Sequence, residues 1–373
     1  MKKRLGIIPF LKNNYPLIMY PPPDVKINSV IAPQGAGIEG NDISILRNRE
    51  NTGINGLSNI EEGYNNCDVI LITDVGLLKN CENEFKYLSV NKVRDYAKNA
   101  LDNAITHNKD IICFSSLDKS DQKKYLDLCK SKGIKFEYYE QKAIESDTPQ
   151  KLKQINIPIV LIAETIYDND GYEIFLKLIQ SFNLDNKKVL AISEDKYNVL
   201  YKQYSVTFWN NTDPELNVIG INNYVARLAD EIKPDVILIK LPKPMTKFDD
   251  EITFDFGMTA FLLSQALKVD YMIYCSLYSL VDPQLMSSLN ENFISKYGYP
   301  ISAIHVANQI TDTQEDLKEI MQTSFIDHKN NMKAIRESTN MPFYNLNNTE
   351  DYNEFYKKLK DELFDFSYGV IAL

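Results

Sequence analysis

The residues best placed to do chemistry surround a strand–loop–helix junction in the second half of the chain. Pro158–Ala163 reads as a buried strand and Tyr172–Phe182 as the helix after it, with Glu164–Gly171 between them. A triphosphate at such a junction is held by glycine backbone N–H groups, a lysine, and a Ser or Thr that binds magnesium. This loop has one glycine, no lysine, a lone Thr165, and acids at Glu164, Asp168 and Asp170. In phosphate-loop enzymes the magnesium-side acid ends a later strand. The matching strand here, Pro234–Leu241, ends in Lys240, with Lys243 just beyond and Asp235 at its opposite end. The frame of a nucleotide binder is thus expected without its chemistry. His305, in Ile304-His305-Val306, is the best-placed acid/base residue because it lies in or at the end of a strand. The competing reading is a hydrogen-bonded core histidine.

A second group lies near the N-terminus. Gly35, Gly37 and Gly40 form a formal G-x-G-x-x-G after the strand Ile27–Ala32, followed by Asp42, Arg47 and Arg49. A dinucleotide fingerprint needs a long helix to begin within the motif, directly after the first strand of the domain. Asn41–Gly56 has no sustained helical period, and the motif follows the second strand. The favoured reading is a surface loop whose glycines allow positive φ. The alternative is a loop that contacts a ligand or partner, with two guanidiniums able to grip a carboxylate or phosphate.

The elements that must position these residues alternate between strand and helix. Leu5–Pro9, Ile27–Ala32, Asp68–Thr73, Ile111–Ser115 and Lys135–Tyr139 are short apolar runs, and Val93–His107 and Gln122–Lys132 have helical spacing. After the polar stretch Glu145–Asn156 the alternation resumes: Ile157–Ala163, Lys188–Ser193, Asp235–Leu241, Tyr271–Ser276 and Ile301–Ala307 as strands. Tyr172–Phe182, Gly220–Ile232, Phe256–Leu267, Pro283–Lys296, Gln314–Thr323 and Asp351–Phe364 read as helices between and after them. Such alternation predicts an α/β chain of two doubly wound, mainly parallel-sheet domains. The expected division is a Rossmann-like domain over 1–150 and a degenerate phosphate-loop-like domain over 151–373.

Composition narrows the function. A length of 373 residues fits two domains, and 44% apolar with 25% charged residues is globular usage. A net charge of −10 argues against nucleic acid as a partner. No apolar run approaches the ~20 residues of a membrane helix, so no membrane is expected. The five cysteines form no C-x-x-C or C-x-x-H pair, so neither a metal site nor a redox motif is expected, and no cofactor. Their odd number, with no secretory signal, predicts a cytoplasmic protein. A homodimer is left open. The 23 Tyr and 17 Phe, several in loop segments, favour a protein-contacting surface.

With these residues in view, the chain resembles the clostridial peptide-maturation-system family. The likeness is carried by Leu5–Pro23, Ala32–Asp42 (APQGAGIEGND), Asp68–Asp74, Lys233–Pro242 (KPDVILIKLP), Phe256–Cys275 and Ile301–Asn308 (ISAIHVAN). The resemblance implies work on a ribosomally made precursor peptide of ranthipeptide or bacteriocin type, beside a radical-SAM maturase. It supplies no catalytic residues. The expected role is an accessory or scaffold protein that binds the peptide or the maturase, with Gly35–Arg49 as first-choice contact region. The alternative is a small-molecule or nucleotide-binding enzyme, with its ligand at Thr165–Gly171, Lys240–Lys243 and His305.

Overall fold

The computed structural model describes residues 2–34, 36–47, 49–74, 90–144, 151–167, 170–209, 212–250, 252–312, 322–325, 335–337 and 341–364. The chain divides into two units, Met1–Glu140 and Gln141–Leu373. In the first, six parallel strands are β1 (Lys3–Ile8), β2 (Val25–Ile31), β3 (Gly56–Leu57), β4 (Val69–Ile72), β5 (Asp110–Cys113) and β6 (Phe136–Tyr138). Their order is β3-β2-β1-β4-β5-β6, that of a dinucleotide-binding fold. All four side chains of β4 are buried, as a strand covered on both faces requires. Helices α1 (Tyr15–Met19), α2 (Ile60–Asn65), α3 (Val90–Thr106) and α4 (Lys119–Ser131) connect the strands. Helix α3 buries Ala97, Ala100, Leu101, Ala104 and Ile105, a helical stripe whose alanines let it approach the sheet closely.

The second unit contains an eight-stranded parallel sheet. Its strands are β7 (Lys142–Ala143), β8 (Ile159–Glu164), β9 (Val189–Ser193), β10 (Tyr204–Thr207), β11 (Val236–Lys240), β12 (Tyr271–Leu277), β13 (Ala303–Ala307) and, numbered last, β16 (Phe343–Tyr344). The order is β16-β13-β12-β8-β11-β9-β10-β7. Strands β14 (Gln309–Asp312) and β15 (Gln322–Phe325) form a separate antiparallel pair. Helices are α5 (Gly171–Leu184), α6 (Pro214–Ile232), α7 (Met258–Ala266), α8 (Pro283–Tyr297) and α9 (Thr349–Phe364). Asp213 and Asp282 cap α6 and α8 by accepting backbone N–H groups, each just before a proline at the first helical position. Helices α6, α7 and α8 adjoin in sequence. On the other side α5 meets α9 through Ser181–Tyr352 and Phe182–Tyr356.

The two-domain, doubly wound architecture is that expected from the sequence, with differences at its edges. The unit boundary falls at 140/141, before β7, because Lys142–Ala143 pair with Val206–Thr207 of β10. A helix expected over Gln314–Thr323 is not found at its C-terminal end, where Gln322 and Thr323 belong to β15; positions 313–321 lie outside the described residues. The helix expected from Phe256 begins at Met258, because Phe254, Asp255 and Phe256 turn left-handed first. No helix among the described residues is long and apolar enough to cross a membrane.

Candidate functional site

Ligands of open parallel sheets gather beyond the carboxyl ends of the strands, where successive connections leave in opposite directions. In the second unit, that edge gathers the ends of β8, β9, β11 and β12. Glu164, last in β8, is 5% exposed, and Lys240, last in β11, is 8% exposed. One Glu164 oxygen accepts the Gly171 N–H at 2.9 Å. The other lies 3.0 Å from the Lys240 ammonium, which is 3.7 Å from Asp195. Burial works to lower the Lys240 pKa, but the charges of Asp195 and Glu164 outweigh it and hold the ammonium above its ordinary value. A side chain at Gly171 would begin 2.5 Å from the Glu164 carboxyl carbon, so glycine is needed here for close packing.

The N-terminus of α5 is therefore occupied by the protein's own carboxylate, at the place where phosphate would bind. Relative to a phosphate-loop enzyme the charges are exchanged: the acid stands at the first strand and the lysine at the later one. Thr165, of the residue type that serves as a phosphate loop's magnesium ligand, instead donates both its N–H and its hydroxyl to the Cys275 carbonyl, at 2.9 and 3.0 Å. Asp168 lies outside the described residues.

His305 and Asp170 come together in the interior. The His305 Nδ1 accepts the Leu346 N–H at 3.0 Å. A backbone N–H can only donate, so the ring proton sits on Nε2 and is donated to Asp170 Oδ2 at 3.2 Å. The Asn347 side-chain amide donates to that same oxygen at 2.8 Å. His305 is fully buried, and both its nitrogens tie β13 to the α5 entry loop and to the approach to α9. This is the arrangement of a core histidine.

Nearer the surface, Lys243 pairs with Asp255 at 3.2 Å, and Asp255 also accepts the Thr259 hydroxyl at 2.6 Å. Glu194, directly after β9, accepts the Phe208 N–H at 2.9 Å and has no ion pair among the described residues. Burial raises the Glu194 carboxyl above its ordinary range, against the Phe208 hydrogen bond. Tyr167 lies close enough to feel Asp255, Glu194, Lys240 and Glu164. Its hydroxyl is pushed up to about 12, by burial first and by the charges of Asp255 and Glu194 after it. No group of three or more His, Cys, Asp or Glu among the described residues is arranged to hold a metal ion.

The N-terminal candidates are arranged differently. Gly37 and Gly40 have φ of +79° and +72°, the loop role of glycine; Gly35 lies outside the described residues. Asp42 accepts from the N–H groups of Ser44, Thr52 and Gly53 and from the Thr52 hydroxyl. Burial acts to raise its pKa, but those backbone bonds prevail and hold it well below the usual carboxylate range. Arg47 is 1% exposed, its guanidinium 6.0 Å from the Tyr15 ring centroid. The Arg49 N–H donates to the Ser44 carbonyl. Asp42 thus organises its own loop, and Arg47, one of the two guanidiniums expected to grip an anion, is a core residue.

Glu194 and Asp195 were missed as site residues, although a signal existed: two acids directly after an apolar strand stand at the carboxyl edge of a parallel sheet. Glu164 carries the same mark.

No family model and no curated protein matches the chain. Among solved structures it is similar to a DUF1611 family protein from Anabaena variabilis ATCC 29413. The two share 10% sequence identity, with a TM-score of 0.60, over 98% of this chain and 100% of that one. At that identity the likeness shows the fold alone.

Proposed function

We propose that this chain is a binding protein and not a nucleotide hydrolase: an accessory protein that engages a ribosomally made precursor peptide or the radical-SAM enzyme that modifies it. The peptide and enzyme are implied by the family resemblance. The observation that argues against a hydrolase, and so favours a binding role, is the Glu164 carboxylate seated on the α5 N-terminus and neutralised by Lys240. A triphosphate would have to displace a buried, paired carboxylate of its own sign. Capture of the precursor or the maturase by the purified chain, at micromolar concentration, tests the role; binding to neither ends it. Thermal denaturation with ATP, GTP or NAD, each with magnesium, is expected to leave the midpoint unmoved. A ligand at 100-fold over its Kd would add about 2.7 kcal/mol.

A second reading, a small-molecule enzyme working at the same edge, is favoured by Glu194. A half-buried carboxyl with a raised pKa is suited to proton transfer near neutral pH. A midpoint shift with any small ligand that is abolished in Glu194→Gln would support this reading over the first.

A further inference from the structure

We infer that the carboxyl edge of the second sheet is the partner-docking surface, and that it receives a segment carrying a lysine or arginine beside an apolar side chain. This deepens the accessory-protein reading and rests on it.

The first argument is charge complementarity. At this edge the acids Glu164, Glu194, Asp195 and Asp255 stand with Lys240 and Lys243, while Lys296 is engaged at the Phe256 carbonyl. Lys240 is held by Glu164 and Asp195, and Lys243 by Asp255. Glu194 is left, half-buried, with a backbone N–H and no ion pair among the described residues, and it feels Lys243 and Lys240 only as nearby charges. Desolvating a carboxylate without its counter-ion is unfavourable, and a basic side chain from a partner would relieve it.

The second argument is apolar exposure at the same place. Tyr167 is 40% exposed, Trp209 37% and Phe256 59%. Tyr167 packs edge-on against Phe254, and Trp209 directly follows the residue whose N–H binds Glu194. Aromatic faces beside a carboxylate suit the stem and the charge of Lys or Arg together.

The third is the backbone that presents Phe256. Phe254, Asp255, Phe256 and Gly257 have φ of +43°, +53°, +56° and +73°, a left-handed run that non-glycine residues avoid. The run is held by the Asp255 bonds to Thr259 and Lys243, and by Lys296, whose ammonium donates to the Phe256 carbonyl at 3.1 Å. At Gly257 a Cβ would collide with the Met245 carbonyl, so the turn admits no other residue. The strain holds an apolar ring in solvent, which folding alone does not reward.

Trp209 is the sole tryptophan of the chain and reports on this edge directly. Its emission is titrated with the capped tripeptides acetyl-Leu-Lys-Leu-amide and acetyl-Leu-Glu-Leu-amide. The basic peptide is expected to give a saturable change and the acidic one none. Glu194→Gln should weaken the basic peptide about tenfold and Phe256→Ser several-fold. Glu61→Gln, an exposed change of equal charge in the first unit, should do nothing. Equal response to both peptides, or equal behaviour of Glu194→Gln and Glu61→Gln, overturns the assignment. Capture of the precursor or maturase is run alongside. Capture by wild type that Glu194→Gln leaves intact overturns the docking site and spares the accessory role. Absence of capture by wild type ends the accessory role, and the tripeptides still decide whether the edge prefers a cation.

Discussion

The six-stranded sheet reverses direction beside β1 and the eight-stranded sheet beside β8, and at both reversals the crevice is closed from within, by different means. In the first unit the turn after β1 is built from Pro9, Phe10 and Leu11. The Phe10 N–H donates to the Ile31 carbonyl, the Leu11 N–H to Asn14 Oδ1, and the Thr73 hydroxyl to the Pro9 carbonyl at 2.6 Å. The helix that follows has five residues and a proline in its first turn, so it offers few N–H groups and little dipole. In the second unit α5 is long and its N-terminus strong, and it is met by a charge. The contrast shows two ways of closing the carboxyl edge of a parallel sheet. A weak helix start can be closed with neutral hydrogen bonds, whereas a strong one needs an anion of its own and then a cation to balance it.

The closures should therefore fail differently. Lys240→Met should have the largest effect, because it leaves Glu164 buried without its partner; about 3–5 kcal/mol of unfolding free energy in urea is expected to be lost. The folded-state pKa of Lys240 is raised above its ordinary 10.5, so its contribution is complete at any pH below that value and is lost only as pH rises beyond it. Gly171→Ala comes next, at about 1–3 kcal/mol, since the new Cβ overpacks the Glu164 carboxyl. Thr73→Val at the neutral closure should lose about 1–2 kcal/mol, the Pro9 carbonyl being left without its donor. A larger loss for Thr73→Val than for Lys240→Met would reverse the comparison. The smallest effect is a gain. The Glu194 carboxyl is raised above its ordinary 4.5 in the folded state, so the folded protein holds the proton more tightly and stability falls as pH rises from there. Glu194→Gln should accordingly be more stable than wild type at pH 7, with the gain vanishing toward pH 4, as denaturation midpoints at both pH values will show.

Much of this frame was legible in the letters, and the reasons are physical. Runs such as Val69–Ile72 and Val236–Lys240 are buried along their length, which leaves continuous apolar stretches. Strands β3, β7, β10 and β16 have two to four residues each and left no period to read. The departure of this junction from phosphate-loop residue types was legible as well, because it depends on local residues. What fills the junction instead was not. The Glu164–Lys240 pair joins the ends of two strands far apart in sequence, and only sheet order makes them neighbours. That Arg47, expected with Arg49 as a pair of guanidiniums, is buried was not legible for a related reason: composition cannot tell a guanidinium in solvent from one packed against Tyr15.

The strand formed by Lys142–Ala143 bears on how the second unit could be produced alone. Ile144 is buried in that unit's core and its N–H donates to the Thr207 carbonyl, while the Gln141 side chain donates to the Glu194 carbonyl. A fragment starting at Lys151 would strip this cover from the outer side of β10, exposing a naked edge that invites self-association. Starting at Gln141 keeps the hem of the sheet sewn, and the two fragments should separate cleanly by size-exclusion chromatography.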